Sequence, residues 1–282
     1  MPKLKTLLSH HKKKIIAIVS SVLLAALALP MLFESRIIFL PSRQLLDTPA
    51  DYGLSFENVE CVASDGVHLH GWLIKPDDEP VAWVLFSHGN AGNVSRRPRV
   101  VAPLVNRGVA VLLYDYRGYG RSDGSPSENG TYIDGETMLS ELVKMAGNPK
   151  RVFLFGRSLG GGVSYELAVR HPEVGGLVTD ATFTSIPDLA RKLIPIPYMW
   201  RLVRTKYDNL RKAPLVKIPR LVMHGVSDEL IPYRMGEQLR DCTDPPSEFF
   251  AIEGAGHNDT FLVGGDRYAD RICDFIGGCR TP

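Results

Sequence analysis

Ser158, Asp228 and His257 have the residue types, and the order along the chain, of a nucleophile, an acid and a base. Ser158 lies in Gly156-Arg157-Ser158-Leu159-Gly160, a G-x-S-x-G pattern that follows the apolar run Val152-Phe153-Leu154-Phe155 and precedes two more glycines, Gly161 and Gly162. A serine on so sharp a strand-to-helix turn has its oxygen exposed, provided the residues two positions to either side are small. A Cβ at Gly156 or Gly160 would strike the adjacent strand or helix, so these elbow glycines belong to the chemistry. The five-residue pattern alone is common. Its weight comes from Asp228 in Val226-Ser227-Asp228-Glu229 and His257 in Gly254-Ala255-Gly256-His257-Asn258-Asp259, each just after a strand-like apolar run.

A serine hydroxyl is too weakly acidic to attack a carbonyl unaided. The histidine must take its proton and return it to the leaving group, while the aspartate orients the imidazole and stabilises its charged form. The oxyanion that develops needs two donors. The backbone amide of Leu159, directly after the nucleophile, is one; that of Asn90, in Ser87-His88-Gly89-Asn90-Ala91-Gly92-Asn93, is the other, although neighbouring amides of the same loop could serve.

Each role has a rival. Asp180 also closes a strand, but it comes one strand too early, before a long insertion. His224 lies close to Asp228 and is expected to support that loop, since a histidine ahead of the acid does not fit the order. His88 is expected to brace the oxyanion turn, Asp115 and Arg117 to hold their own loop together, and Arg157 either to contact substrate or to pair with an acid.

The elements that must carry these residues are legible in the periodicity. Val59 to Val62 and His68 to Ile74 alternate around the turn Ser64-Asp65-Gly66, as an antiparallel hairpin does; His68 and His70 share a face there and read as exposed strand residues rather than a metal pair. Val81 to Phe86 is a continuous apolar run, and Val109 to Asp115, Val152 to Phe155, Gly176 to Asp180, Arg220 to Gly225 and Glu248 to Ile252 are further, mostly apolar, strand-like stretches. Such runs fit parallel strands buried on both faces. Helices are expected through Val105, over Thr131 to Ala146, Leu159 to Arg170, Met235 to Arg240 and Arg267 to Ile276. Strands alternating with helices at this spacing predict an α/β fold: a mostly parallel central sheet with helices on both faces and ligands at the carboxyl ends of its strands. The rhythm breaks at residues 183–217, where Pro187, Pro195, Pro197 and Pro214 interrupt apolar and basic residues. These short helices are expected to form a small cap that supplies an apolar pocket, with sheet-edge packing as the alternative and its basic residues as a solvated or membrane-facing surface.

The 282 residues carry a net charge of +2, unevenly placed. Lys3, Lys5, Lys12, Lys13 and Lys14 give the first fourteen residues +5, leaving 28 basic against 31 acidic residues, and no face for nucleic acid is suggested. Ile15 to Phe33 are nineteen consecutive uncharged, mostly apolar positions. As a helix they would span roughly 28 Å, close to a bilayer's hydrocarbon core. A retained membrane anchor is expected; cleavage after Ala26-Leu27-Ala28 is the alternative. The flanking lysines put the amino terminus in the cytoplasm and the domain outside it. Of Cys61, Cys242, Cys273 and Cys279, the last two are close enough to pair, with four ordinary thiols the alternative.

Together His88-Gly89-Asn90-Ala91-Gly92-Asn93, Tyr114-Asp115-Tyr116-Arg117-Gly118-Tyr119-Gly120-Arg121-Ser122, the elbow at Ser158 and Gly256-His257-Asn258-Asp259 resemble the α/β-hydrolase superfamily, and within it the membrane-anchored bud-emergence-type subgroup. The resemblance covers roughly Val59 to Phe275. With the amino-terminal pattern it divides the chain into a basic tail over 1–14, an anchor or uncleaved signal over 15–33, a linker over 34–52 and a hydrolase domain over 53–282 with the cap at 183–217. The resemblance further implies a serine hydrolase for ester or thioester bonds, an acylated or small-molecule substrate and membrane attachment through the amino-terminal helix; no phosphate-cradling or metal motif appears, so no cofactor or metal is expected. An amidase or aminopeptidase is the alternative, and a non-catalytic binding protein a more distant one. Dehalogenase and epoxide hydrolase chemistry would need an aspartate at the elbow, where Ser158 stands.

Overall fold

The computed structural model describes residues 34–194, 196–244 and 247–277. Its elements in chain order are α1 (residues 34–38), β1 (Leu40–Pro41), β2 (Phe56–Val62), β3 (His68–Ile74), β4 (Ala82–Ser87), β5 (Ala91–Gly92), α2 (Pro98–Val105), β6 (Val109–Tyr114), α3 (Glu128–Ala146), β7 (Val152–Arg157), α4 (Leu159–Arg170), β8 (Gly176–Asp180), α5 (Ile186–Leu193), α6 (Asn209–Lys212), β9 (Arg220–Gly225), α7 (Tyr233–Asp241), β10 (Glu248–Ile252) and α8 (Thr260–Ile276). Eight strands form one sheet in the order β10-β9-β8-β7-β4-β6-β3-β2. Six of them run parallel from β10 to β6, whereas β3 is antiparallel to both β6 and β2. Every residue of β4, β6, β7 and β8 is buried, as continuous apolar strands covered on both faces must be.

Two apolar clusters lie on opposite faces of the sheet. One packs α3 and α4 with Phe183, Tyr207 and Val216 of the insertion; the other packs α2 and α8. This is the fold expected from the alternation.

Three local expectations change. The hairpin forms as β2 and β3, but only His68 is exposed; His70 is buried, with Nε2 3.0 Å from Asn58 Oδ1. Its face of the strand is covered, so the period-two pattern hid a core position. Helix α3 starts at Glu128, three residues before the expected Thr131, behind the N-cap Ser127, whose Oγ accepts the Gly130 N–H. Gly130 reads as a helix breaker but lets Arg117 cross the first turn, where a Cβ would come within 2.5 Å of Arg117 Cδ. The expected last helix, Arg267 to Ile276, forms as the second segment of α8: Gly265 (φ 52°, ψ −136°) is not helical and divides it from a short preceding segment that begins at Thr260. The stretch expected as a linker, 34–52, is bound along the domain: β1 pairs with β5, Phe39 is buried, and Asn93 Nδ2 donates to the Ser42 and Gln44 carbonyls.

The insertion forms short helical pieces, α5 and α6 with one-turn helices at Met199–Leu202 and Ala213–Leu215. The tail at 1–14 and the anchor at 15–33 lie outside the described residues, as does Cys279; among the described residues no helix is long and apolar enough to cross a membrane. Cys61 and Cys242 carry free thiols, and burial pushes the Cys61 thiol up to about 11.

Candidate active site

Strand β7 delivers Ser158 to a turn with φ 53° and ψ −117°, a left-handed conformation that costs a non-glycine residue on the order of 1–3 kcal/mol. Two backbone bonds hold it there: Ser158 N donates to the Asp180 carbonyl at 2.9 Å, and Gly161 N donates to the Ser158 carbonyl at 3.0 Å. The glycines around it have no alternative. A Cβ on Gly156 would lie 2.5 Å from the Gly160 carbonyl oxygen, and one on Gly160 would collide with the Ser87 carbonyl. Gly161 and Gly162 make the same room for Thr182 and Tyr207, a requirement that the G-x-S-x-G pattern does not reveal.

The loops after β9 and β10 bring the other two residues to this turn. Ser158 Oγ lies 3.1 Å from His257 Nε2, and His257 Nδ1 lies 2.8 Å from Asp228 Oδ2. Asp228 Oδ1 accepts the Leu230 and Ile231 amides at 2.9 and 2.7 Å. Burial works against ionising Asp228, but hydrogen bonds from His224, His257 and the Ile231 amide outweigh it and hold the carboxyl well below the usual range. With Asp228 ionised, His257 Nδ1 must carry its proton, so Nε2 is free to accept from the Ser158 hydroxyl. All three residues are buried or nearly so.

Asp180 is held elsewhere. Its Oδ2 accepts from Thr260 Oγ1 at 2.7 Å and Tyr268 Oη at 3.0 Å, with Arg157 Nε 3.4 Å away. Arg157 also donates to the His257 carbonyl at 2.6 Å, so of its two expected roles it takes the pairing with an acid and braces the histidine loop. His224 supports the acid loop: its Nε2 is 2.9 Å from the Ile231 carbonyl and 3.3 Å from Asp228 Oδ2.

The Gly89-Asn90 turn abuts Ser158, a Cβ on Gly89 being only 3.6 Å from Ser158 Cβ. Among the described residues neither the Leu159 nor the Asn90 backbone N–H donates to a protein acceptor. His88 Nδ1 contacts the Gly89 carbonyl at 2.7 Å, and burial, helped by the Arg97 charge, lowers its pKa to about 4. It is therefore a neutral brace. Asp115 Oδ1 accepts the Val94 amide at 2.9 Å, and Arg117 bridges Asp65 and the buried Asp134 at 2.7 and 2.8 Å, so both residues hold loops as expected. Sequence reasoning missed Tyr116 and Tyr119, whose hydroxyls donate to the His88 and Asn90 carbonyls at 2.8 and 2.7 Å. Those bonds turn both carbonyls away for other use and leave the amides of the turn unclaimed. The tyrosine spacing in the loop after β6 was the available signal.

The sheet, the elbow and the order of the three side chains define an α/β hydrolase. The family described as serine aminopeptidase, S33, matches residues 78–196. An Arabidopsis thaliana α/β hydrolase domain-containing protein, WAV2, is 31% identical over 90% of this chain and 91% of its own length. The Schizosaccharomyces pombe protein bem46 is 32% identical over 83% and 81%, and the Escherichia coli protein YfhR is 33% identical over 81% and 83%. The chain belongs to the α/β-hydrolase superfamily, in its bem46-like group. The Pyrococcus furiosus esterase Pf2001 shares the fold, with a TM-score of 0.69 at 22% identity over 84% of this chain and 100% of the esterase.

Proposed function

We propose that this protein is a membrane-tethered serine hydrolase that cleaves carboxylic ester or thioester bonds through an acyl-enzyme. The reading is carried by one observation, the hydrogen-bonded line from Ser158 Oγ through His257 to the ionised Asp228. Ser158 Oγ attacks the carbonyl carbon as its proton passes to His257 Nε2. The tetrahedral oxyanion is met by the amides of Leu159 and Asn90, each such donor being worth about 3 kcal/mol in the transition state. The imidazolium, steadied by Asp228, gives its proton to the departing alcohol or thiol. Water then repeats the sequence on the acyl-enzyme and frees the acid. The uncharged run at 15–33 supports the tether, and residues 183–217 are read as a cap whose apolar side chains take the acyl group.

Ser158→Ala should abolish turnover of short p-nitrophenyl esters and labelling by a fluorophosphonate probe. Labelling that survives the change would remove Ser158 from the chemistry. An amidase or aminopeptidase is the second reading, favoured by the description of the matching family. Peptide substrates tested alongside a chain-length series of esters separate the two.

A further inference from the structure

One face of the insertion takes no part in the catalytic line. Leu193, Ile194, Ile196 and Tyr198 are exposed there, Tyr198 to 66%. Trp200 lies among them, with the Arg201 and Arg191 guanidinium carbons 5.3 and 5.9 Å from its ring centre; Arg201 also covers the Tyr198 ring at 5.0 Å. Residues 183–217 hold eight basic side chains against two acidic ones. Both acids are occupied by helix starts, Asp188 accepting the Ser185 and Thr184 hydroxyls and Asp208 the Arg211 amide. Among the described residues Lys212 is paired with Glu166 at 2.7 Å, whereas Arg191, Lys192, Arg201 and Arg204 form no ion pair.

Apolar side chains, ring systems with polar tips and unpaired cations on one exposed face match a lipid headgroup boundary: rings and aliphatic groups enter the interface, and the cations meet phosphate. The path of the chain points to the same side. The Glu34 carboxylate accepts the Arg204 and Thr205 amides at 3.0 and 2.6 Å, so Glu34, which directly follows the uncharged run at 15–33 in the sequence, is fixed beside this face. There, too, an apolar cavity of about 110 Å³ lies between α1 and α5, with the exposed Ile37 and Ile194 at its rim and Ile38 and Ile186 in its lining. Ile38 is one hydrogen bond from the oxyanion turn, its carbonyl accepting Asn90 Nδ2 at 3.1 Å.

We infer that this face of the insertion docks on an anionic phospholipid surface and holds the mouth of the apolar cavity at the headgroups. The inference rests on the membrane tether of the proposed function and is independent of its chemistry. Docking of this kind lets an acyl chain pass from the bilayer to the cavity without crossing water.

Trp72 and Trp83 are buried, so Trp200 is the tryptophan that reports on this surface. The full chain is reconstituted with vesicles of phosphatidylcholine alone, or of phosphatidylcholine mixed with phosphatidylglycerol, both containing spin-labelled phosphatidylcholine as quencher. Flotation is measured in parallel. Trp200 emission should be quenched more strongly in the anionic vesicles, and Trp200→Phe should remove the excess. Changing Arg191, Lys192, Arg201 and Arg204 together to Gln should lower the excess roughly fivefold or more, since each basic residue at an anionic surface is worth about that factor. Raising the salt on the unaltered protein should do the same without any substitution. Equal quenching in both vesicles, or an excess untouched by the Gln changes and by salt, overturns the docking face while flotation in phosphatidylcholine still supports the tether. Anionic quenching without flotation in phosphatidylcholine overturns the tether and leaves the docking face standing. Absence of both overturns both.

Discussion

Around Ser158 four glycines have no room for a methyl group, and the His88 and Asn90 carbonyls of the neighbouring turn are each claimed by a tyrosine hydroxyl. The insertion at 183–217 is attached differently. Its returning segment hangs from two carboxylates: Glu34 takes the amides of Arg204 and Thr205, and Glu128 takes those of Lys206 and Tyr207 at 2.6 and 2.7 Å. Beyond Tyr207, which is packed against Phe39, Tyr132 and Phe183, much of it faces solvent. The contrast separates two demands. Side chains that must meet at 3 Å need steric certainty, which backbone contacts at glycine provide. A segment that meets variable substrates or a surface needs a few strong fixed points and freedom between them.

The comparison can be broken first at the acid. Asp228→Asn should lower kcat by about 10⁴, equivalent to roughly 5.5 kcal/mol, because His257 loses the partner that fixes its tautomer. Asp180→Asn, which disturbs only the Thr260, Tyr268 and Arg157 contacts, should lower the melting temperature and leave kcat within about tenfold. If Asp180→Asn proved the more damaging to kcat, the catalytic line drawn here would be wrong.

Gly160→Ala probes the packed side directly. Its methyl meets the Ser87 and His88 carbonyls, which no rotamer relieves, so destabilisation of about 3 kcal/mol or more is expected. Chemical denaturation measures it; a change below about 1 kcal/mol would show that the elbow can give.

Glu128→Gln tests the hung side. It weakens charge-assisted bonds to two amides and to Tyr132 Oη, and should cost roughly 1–2 kcal/mol. The effect should fall on KM for long-chain esters more than on kcat for acetyl esters. Equal losses for both would tie the insertion to the chemistry itself.

The smallest effect lies on the α3 side of the domain. Hydrogen bonds from His171 to Glu136, opposed by burial and supplemented by Glu173, raise its pKa from about 6.5 to about 9. A raised histidine pKa means that the folded state binds the extra proton more tightly. Its contribution is therefore complete below pH 6.5 and is lost as pH rises through about 9. After allowance for solvent screening it amounts to on the order of 1 kcal/mol, or about 2–4 °C. Melting curves should show His171→Ala less stable than the parent at pH 6 and level with it near pH 10, with the site's activity unchanged; a gap that persists at the higher pH would assign the loss to packing.

The parallel strands and the elbow could be read from the sequence because their causes are local. A buried parallel strand must be apolar along nearly all of its length, and a side chain on so tight a turn must have glycines at fixed offsets, so both leave a pattern within a few residues. The order Ser158, Asp228, His257 follows from the order of strands in such a sheet. The burial of His70, the early start of α3 and the binding of 34–52 to the domain left no such pattern. Each depends on a covering segment that comes from elsewhere in the chain.

By itself the sequence determined the fold, the tight turn that carries Ser158 and the loops on which Asp228 and His257 lie. Only the tertiary structure decided which of two strand-end aspartates faces His257, that Arg157 braces that histidine's loop, and that Glu34 and Glu128 carry the insertion. The physical reason is one of range. Periodicity and steric need are written in neighbouring residues, whereas the direction of a carboxylate is set by donors that lie from two to 171 positions away and meet it only once the sheet has formed.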